Sequence, residues 1–381
     1  MLIPFHASER ASLGIEMELA LVDREDGELV SGASAILSAL ARNTGLEAHP
    51  KAKHELFEST IEIITGICGT VGEARADLGG TLAEVTAEAA RLGLAPICVG
   101  SHPYSSWHDQ KVSPDARYHD LVNEMQWTAE RLLIFGVHFH VGVRSAEKSI
   151  AIANALVTYL PHLLALSASS PYWHSRDTGL ASCRTKVFEA LPTAGLPYRI
   201  ADWGEFETFM ETLVTARAIK SIREVWWDIR PHPDFGTVEL RMCDGIPTLR
   251  EVAAVAALAQ SLVASLDARL DAGETLAAPR EWVVRQNKWF ATRHGIEAEL
   301  IVNDHGERTP ACEQVHELLV ELAPTARELG CAAELEDVTT ILERGPSYLR
   351  QRRILAGGGR LIDVVHALIE ELATDTPGAT A

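Results

Sequence analysis

The sequence predicts an α+β protein in which a mostly antiparallel sheet is covered by helices on one face. Segments in which apolar and polar residues alternate, the two-residue period of a half-buried strand, concentrate before residue 245. From residue 248 onward, apolar residues recur at the spacing of amphipathic helices. A Pro- and Gly-containing link between the runs 224–230 and 237–243 suits an antiparallel hairpin. Strands followed by helices, rather than alternating with them, are typical of the α+β class.

The segment 135–143 shows the alternation most clearly. One of its faces carries His138 and His140, flanked by Gly136 and Gly142, and these glycines leave room for a ligand to approach the backbone. The opposite face is entirely apolar, with Phe135, Val137, Phe139, Val141 and Val143. We therefore predict a strand that packs one face on the core and offers imidazoles to a ligand on the other.

Four further segments have the same construction, with charged residues on one face and apolar residues on the other. The charged residues are Glu16 and Glu18 in segment 14–21, Glu62 in 60–63, Asp228 and Arg230 in 224–230, and Glu239 and Arg241 in 237–242. Strand propensity disfavours Glu and Asp, so a polar face with this much charge is more than a solvated surface needs. If these strands share one sheet, its polar face is a candidate functional site.

The other predicted elements follow in chain order. We predict strands over 13–23 and 94–99 with a return strand at 28–30, and helices over 34–42, 71–92, 117–130, 146–168, 204–219, 248–266, 281–293, 311–328, 332–343 and 345–372. Two long irregular regions, 100–107 and 169–203, separate them, and we interpret the second as a lid or substrate-binding segment. We expect a single catalytic domain over 1–373, sheet-rich at 1–245 and helical at 246–373, followed by a disordered tail at 374–381.

Composition restricts the classes of partner and the compartment. Lys and Arg total 34 against 53 Asp and Glu, a formal net charge of −19, which disfavours nucleic acid and anionic membranes as partners. The six cysteines form no CxxC pair, so we expect reduced thiols in a cytoplasmic protein. The N-terminal residues lack the apolar core of a signal peptide. The uncharged stretch 150–168 contains polar residues that are costly in lipid, so we expect a buried helix there.

The clustered carboxylates indicate a divalent cation. Carboxylates at this density repel one another unless cations neutralise them, and oxygen ligands with one imidazole suit Mg²⁺ or Mn²⁺ better than structural Zn²⁺. The sequence contains neither GxxxxGK[ST] nor GxGxxG. A bound nucleotide would therefore have its phosphates held by metals and arginines. Arg241, beside Glu239, is the candidate that would stabilise charge on a transferring phosphoryl group.

The same residues also admit structural interpretations, which the sequence leaves open. His138 and His140 could be satisfied sheet histidines, and His140 could serve only to orient its neighbours. Arg241 could form a structural salt bridge, and Asp228 and Arg230 could pair with each other. Structural or surface roles are the simpler interpretation of Glu58, His102 and Trp107. No base is adjacent to Cys183 in the sequence, so we do not predict a nucleophile there.

Several motifs in order resemble one family. The sequence is similar to the bacterial type 2 glutamate–cysteine ligases, also called YbdK-like carboxylate–amine ligases, which are distantly related to glutamine synthetase. The resemblance covers roughly residues 5–370 and is carried by Gly14-Ile15-Glu16-Met17-Glu18, Ser101-His102-Pro103, Arg117-Tyr118, His138-Phe139-His140-Val141-Gly142, Ser170-Pro171-Tyr172, Ala181-Ser182-Cys183-Arg184, Trp227-Asp228-Ile229-Arg230-Pro231 and Gly236-Thr237-Val238-Glu239-Leu240-Arg241.

The resemblance implies a glutamine synthetase-like curved sheet with helices on its convex face and the active site on its concave face. It implies ATP-dependent ligation of a carboxylate, most simply the glutamate side chain, to cysteine or a related amine through an acyl phosphate. Mg²⁺, or Mn²⁺, would be held by Glu16, Glu18, Glu55, Glu62, His138 and Glu239, of which Glu55 depends mostly on the resemblance. Arg241 and Arg230 would contact the nucleotide, and Arg184 would hold a substrate carboxylate or a phosphate.

Two other functions stay open at the level of sequence. A two-metal hydrolase could use His138, His140 and the Glu cluster without ATP. A metal-binding or partner-binding module without enzymatic activity is the third possibility. For the ligase we expect small-molecule substrates as partners and, by analogy with other helical C-terminal halves, a homodimer.

Overall fold

A seven-stranded sheet, antiparallel in every pairing, lies at the centre of the first 245 residues. The computed structural model describes residues 2–377. Its strands are β1 (Leu13–Asp23), β2 (Ala52–His54), β3 (Thr60–Ile64), β4 (Leu94–Ile97), β5 (Val137–Gly142), β6 (Tyr172–Trp173), β7 (Arg176–Asp177), β8 (Ile229–His232), β9 (Thr237–Leu240), β10 (Glu299–Ile301) and β11 (Arg308–Pro310). The large sheet has the order β2-β3-β1-β5-β9-β8, and β4 pairs with β1.

The register of this sheet brings the charged residues of different strands together. In β1, Glu16 lies opposite His138 of β5, and Glu18 lies opposite Glu62 of β3. In β9, Glu239 lies opposite His140 on one side and Arg230 of β8 on the other. Side chains of paired residues point to the same face. The predicted polar face is therefore continuous across six strands once Lys53 of β2, opposite Glu62, is included.

The helices surround this sheet and make up most of the chain after residue 245. They are α1 (Ala33–Thr44), α2 (Val71–Arg91), α3 (Ala116–Met125), α4 (Trp127–Glu130), α5 (Ala146–Leu156), α6 (Leu160–Ser167), α7 (Cys183–Phe188), α8 (Trp203–Thr215), α9 (Leu249–Asp271), α10 (Glu281–His294), α11 (Ala311–Leu329), α12 (Ala332–Arg344), α13 (Ser347–Ala356) and α14 (Leu361–Thr374). Helices α2, α5 and α9 contact the sheet, and α9 also packs on α11 and α12.

The apolar face of the sheet and the helices form the main core. Met17, Leu19, Val137 and Phe139 are fully buried there, together with almost the whole of α9. Burying one such side chain contributes about 1.5–3 kcal/mol, so this face fixes the register of the strands and with it the position of every polar side chain on the other face. The α+β prediction is confirmed.

Two apolar helical stretches have the length and composition of a membrane span. They are α9 and the pair α5–α6, which is bent by 66°. In α9, 83% of the most apolar window is buried inside the protein, as in the core helix of a globular fold. The residues of α6 are all buried as well, as predicted for 150–168.

Three predicted helices are each divided in two. The helix predicted over 117–130 breaks at Gln126, whose φ of 48° lies in the left-handed region. The stretch 146–168 breaks at residues 157–159, and Pro161 lies in the first turn of the new helix, where an N–H has no intrahelical acceptor and proline is therefore tolerated. The stretch 345–372 breaks at the glycines 357–359. The β10–β11 hairpin within the helical half was not predicted.

The region 169–203 differs from the predicted lid. Its first part is buried: Ser169, Ser170 and Ser182 are fully buried, and the segment contains the β6–β7 hairpin and α7. The predicted tail also differs, since residue 374 ends α14, Thr376 is 6% exposed, and Asp375 accepts a hydrogen bond from the backbone N of Arg250 at 2.9 Å. Residues 378–381 of that tail lie outside the described residues.

Candidate active site

The polar face of the sheet is the floor of a cavity of about 1210 Å³. Eight of the nine residues that the sequence analysis assigned to the site line this cavity: Glu16, Glu18, Glu55, Glu62, His138, Arg184, Arg230 and Arg241. The ninth, Glu239, is 0% exposed and lies beneath the floor, in contact with both Arg230 and Arg241. Side chains that are separated by more than two hundred positions along the chain thus converge on one cavity.

Three of these residues form a first ligand set, which we call cation group one: Glu16, Glu62 and His138. One ligand atom from each lies within 4.8 Å of the others. His138 Nδ1 is 3.2 Å from Glu16 Oε2, while its Nε2 is buried without a hydrogen-bond partner among residues 2–377. The cationic side chain at this group is Lys53, whose Nζ is 2.6 Å from Glu62 Oε2.

A second set, cation group two, consists of Glu16, His140 and Glu239. His140 Nε2 lies 3.5 Å from Glu16 Oε1 and 3.7 Å from Glu239 Oε1. Within the described chain it too has no hydrogen-bond partner, whereas Nδ1 of the same ring is 3.2 Å from Thr237 Oγ1. The sequence analysis left His140 out of the metal ligands. The geometry places its free nitrogen where a ligand atom would be.

Two arginines enclose Glu239. Arg230 donates from Nε and Nη2 to Glu239 Oε2 at 2.8 and 2.5 Å, and Arg241 donates from Nη1 to Glu239 Oε1. Burial alone would raise the pKa of Glu239, but the charges of Arg230 and Arg241 hold that pKa well below its usual range. The sequence alternative in which Asp228 pairs with Arg230 is wrong, because Asp228 Oδ2 lies 2.5 Å from Lys288 Nζ.

Arg230 is arranged differently from the predicted nucleotide contact. Its guanidinium is 5% exposed and also donates from Nη1 to the backbone carbonyls of Ile222 and Val225, both at 2.9 Å. Nearly all of its donors are therefore used within the protein. Arg241 has a free donor instead, because its Nε is buried without a partner among the described residues.

The remaining carboxylates are poorly compensated. Burial, and then the charges of Glu16 and Glu55, raise the pKa of Glu62 well above its usual range. Burial, and then the charge of Glu55, raise the pKa of Glu18 to about 7. For Glu16 the effect of burial is outweighed by the neighbouring imidazoles of His138 and His140, which leave its pKa well below the usual range. Bound cations would relieve this repulsion.

Glu18 and Glu55 lie outside both cation groups. Glu18 accepts a hydrogen bond from the backbone N of Gly136 at 2.6 Å, and Glu55 accepts one from the backbone N of Leu56 at 3.1 Å. Burial, and then the charge of Glu55, raise the pKa of Glu18, and burial raises the pKa of Glu55. The two carboxyls form an acidic flank of the same cavity. Their predicted role as metal ligands stays a prediction.

Arg184 is held by a buried network that sequence reasoning missed. Asp244, which is fully buried, accepts hydrogen bonds from Ser170 Oγ at 2.6 Å and Ser182 Oγ at 2.7 Å. The backbone N of Arg184 in turn donates to Ser170 Oγ at 3.1 Å. The side chain of Arg184 passes so close to Gly136 that a Cβ there would lie 2.3 Å from Nη2. The segment predicted as a lid therefore holds Arg184 in place, and the side chain of Arg184 lines the cavity.

The two loop residues of uncertain role and the cysteine have structural environments. His102 is 1% exposed, with Nε2 2.8 Å from the carbonyl of Gly27, so it braces a turn away from the cavity. Trp107 stacks on His108 with ring centroids 3.5 Å apart. Burial raises the pKa of Cys183 to about 12, which agrees with the absence of a predicted nucleophile role.

The donor sets fit a hard divalent cation. Each group offers two carboxylates and one imidazole, and each imidazole has a buried Nε2 with no hydrogen-bond partner in the described part of the chain. Oxygen-rich sets with one imidazole suit Mg²⁺ and Mn²⁺. The arginines beside group two suit an anion such as phosphate.

Comparison with known proteins gives the family. The model of a family described as Glutamate-cysteine ligase family 2 (GCS2) matches residues 12–367. The chain belongs to glutamate–cysteine ligase family 2. A Frankia casuarinae protein named "Putative glutamate--cysteine ligase 2-1" is 54% identical over 378 residues, covering 99% of each chain. Members of this family are ATP-dependent carboxylate–amine ligases that form an amide bond, and the hydrolase alternative finds no support.

Solved structures with the same fold are also ligases. A bifunctional glutathione synthetase from Pasteurella multocida matches with a TM-score of 0.70 and 14% identity. The match covers 95% of this chain and 52% of the synthetase, so this chain spans about half the length of the synthetase. A glutamate–cysteine ligase from Francisella tularensis in complex with AMP has a TM-score of 0.67 and 12% identity, covering 98% and 91%. These likenesses concern the fold, and they confirm the predicted glutamine synthetase-like class.

Proposed function

We propose that this chain joins the side-chain carboxylate of glutamate to the amine of cysteine or a related amine, with hydrolysis of ATP to ADP and phosphate. The observation that carries the proposal is the convergence of two acid-and-imidazole groups with Arg241 and Arg184 in one cavity. The relatives are named as putative glutamate–cysteine ligases, which supports the choice of substrates.

Two bond exchanges make up the reaction. A carboxylate oxygen of the substrate attacks the γ-phosphorus of ATP, and ADP leaves as the new O–P bond forms. The amine nitrogen then attacks the acyl carbon, phosphate leaves with the oxygen of the broken C–O bond, and the nitrogen gives up a proton. Positioning and charge stabilisation are the main contributions a protein can make to the first exchange.

Each side chain has a role that its environment supports. Arg241 has an unpartnered buried Nε and would stabilise the transferring phosphoryl group. Arg184, held by the Asp244 network, would bind the substrate carboxylate with its own unpartnered Nε. Arg230 would act on Glu239 rather than on the nucleotide.

The proposed cofactor is Mg²⁺, or Mn²⁺, bound with the ATP phosphates. It would be held by cation groups one and two, with Glu18 and Glu55 as the flanking carboxylates. When bound, it neutralises phosphate charge and aligns the γ-phosphoryl group with the attacking oxygen. We propose a cytoplasmic setting, as expected for six cysteines that form no CxxC pair.

The direct test is release of ADP and phosphate from MgATP with glutamate and cysteine, followed by a panel of other amines. Amide formation should equal ADP release. Glu16→Gln should abolish turnover, because Glu16 belongs to both cation groups. The matched control is Glu336→Gln, an exposed glutamate on α12, which should leave turnover unchanged. Absence of ADP release with glutamate and every amine of the panel would contradict the proposal.

A further inference from the structure

One buried arginine connects cation group two to a wall of the cavity. Nε and Nη2 of Arg230 donate to Glu239 Oε2 at 2.8 and 2.5 Å. Nη1 donates in the other direction, to the carbonyls of Ile222 and Val225 at 2.9 Å each. One edge of the guanidinium therefore holds a candidate cation ligand, and the other edge holds the backbone of segment 217–225.

The two oxygens of Glu239 have different tasks. Oε2 is engaged by Arg230, whereas Oε1 faces Arg241 and lies 3.7 Å from His140 Nε2 in cation group two. Glu239 is 0% exposed, so these side chains set its orientation. A planar guanidinium that binds one oxygen through two N–H groups fixes the carboxylate plane and leaves the second oxygen directed into the group.

Segment 217–225, which we call the basic wall, lies at the cavity mouth. It starts at Arg217, a non-glycine residue with a φ of 58° in the left-handed region, and strain of this kind is frequent at functional sites. Arg217, Lys220 and Arg223 all line the cavity. Lys220 Nζ also lies 3.1 Å from Asp120 Oδ2 on α3, so the wall meets the opposite side of the mouth.

We propose that Arg230 is a positioning residue that couples cation binding at group two to the order of the basic wall. A cation at Glu239 Oε1 fixes the carboxylate, the carboxylate fixes the guanidinium, and the guanidinium holds the carbonyls of Ile222 and Val225. The wall then presents its positive side chains where anionic substrates enter. This inference rests on the cation sites of the proposed function.

The test is hydrogen exchange of the full-length protein with and without Mn²⁺, followed by mass spectrometry of peptides that cover 217–225. Val225 N and Glu224 N donate to carbonyls within this segment, so their exchange reports its opening. We expect Mn²⁺ to slow exchange there about tenfold, as binding to the closed form requires. Unchanged exchange at saturating Mn²⁺ overturns the inference without any mutation.

Variants distinguish coupling between the cation and the basic wall from a purely structural role of Arg230. Arg230→Lys keeps the charge but lacks the fork that reaches Glu239 and both carbonyls, so Mn²⁺ should still bind and should no longer slow exchange at 217–225. The control is Arg223→Lys, on the exposed side of the same wall, which should retain the wild-type response. Equal Mn²⁺ dependence in Arg230→Lys and wild type overturns the inference.

Calorimetric titration with Mn²⁺ distinguishes a failure of the proposed cation sites from a failure of the coupling alone. If the wild-type protein binds no Mn²⁺, the cation sites of the proposed function fail and the coupling fails with them. If Mn²⁺ binds and MgATP-dependent amide formation is seen, but exchange at 217–225 does not respond, only the coupling fails.

Discussion

Cation groups one and two share Glu16 but differ in how far cationic side chains of the protein neutralise their buried carboxylates. In group one the nearby cation is Lys53, whose side chain is 52% exposed, and Glu62 is left with a raised pKa. In group two, Arg230 and Arg241 are buried against Glu239 and lower its pKa. Group two is therefore compensated by the protein itself, whereas group one depends on a ligand for its missing positive charge.

This difference predicts that the two groups respond differently to a bound metal. In the compensated group both arginines are paired with Glu239 without a metal, so Arg241 is beside the cavity before the nucleotide arrives, which is the condition for efficient electrostatic stabilisation. The uncompensated group gains most from a divalent cation, so occupancy by Mg²⁺ should change its energetics more. Four predictions test this comparison, in order of decreasing effect.

The largest effect is expected from Arg241→Ala. It removes the cation that we place on the transferring phosphoryl group, and arginines in this role contribute about 10³-fold or more to kcat. Steady-state ADP release should fall by about that factor with glutamate and cysteine present. Arg241→Lys should recover part of the loss, and circular dichroism should show that both variants fold. A loss in kcat below tenfold would remove Arg241 from the chemical step.

The next prediction compares Glu239→Gln with Glu62→Gln in metal-free protein. Glu239→Gln leaves two buried arginines without their counter-charge and should cost about 3 kcal/mol of unfolding free energy. Glu62→Gln removes a carboxylate whose ionised form is disfavoured and should cost nothing or stabilise the fold. Urea unfolding in EDTA measures both. Equal destabilisation by the two variants would contradict the distinction between the groups.

The contribution of Glu18 to protein stability without metal should fall as the pH rises from about 6.5 to 8. The carboxyl of Glu18 loses its proton near pH 4.5 when unfolded but keeps it to about pH 7 when folded, so its contribution is present at lower pH and lost through pH 7. The buried histidines with lowered pKa oppose this trend, because they are neutral in the folded state but still bind protons in the unfolded state near pH 6.5. The contribution of Glu18 is therefore measured as the difference in stability between the wild type and Glu18→Gln.

The loss from Glu18 should be about 1 kcal/mol over this interval. Urea unfolding of the wild type and Glu18→Gln at pH 6.5 and 8 in EDTA measures it as the change in the difference between the two proteins. Saturating Mg²⁺ should reverse the sign of that change, because the cation binds the ionised carboxylates of the folded state. A wild-type stability that rises relative to that of Glu18→Gln over the interval without metal would contradict the raised pKa.

The smallest effect is expected from Lys53→Met. Removing a half-exposed ammonium beside Glu62 takes away a competing positive charge, so Mn²⁺ should bind group one a few-fold more tightly, in line with the 0.2–1 kcal/mol of exposed ion pairs. Electron paramagnetic resonance of free Mn²⁺ measures the affinity. Lys51→Met, a lysine paired with Asp77 outside the cavity, is the control. Weaker Mn²⁺ binding in Lys53→Met would show that the lysine supports the site.

The sequence allowed the floor of the site to be predicted because strand alternation has a strict period. Glu16, Glu18, Glu62, His138 and Glu239 were placed on one face from that period alone, and the register of the sheet confirms the placement. Glu55 and Arg184 lie off the regular strands and were found only through the resemblance to a family.

Long-range pairing could not be predicted in the same way. Periodicity gives the face on which a residue lies but not its partner, so a pair between Asp228 and Arg230 stayed open in the sequence analysis. In the structure Arg230 pairs with Glu239, and Asp228 pairs with Lys288, sixty positions away. Asp244 gave no local signal, since its partners are serines about sixty to seventy-five positions away. The helix break at 357–359, in contrast, had a local signal that the prediction missed, because a run of three glycines is unfavourable inside a helix.

One consequence of the shared Glu16 concerns cooperativity. Oε2 of Glu16 faces His138 and Oε1 faces His140, so ions in the two groups would bind opposite oxygens of a single carboxylate and divide its one negative charge. The second ion would then bind more weakly than the first unless an anion lay between them. Phosphate oxygens of ATP supply that anion, so nucleotide and second metal should strengthen each other's binding by the same factor.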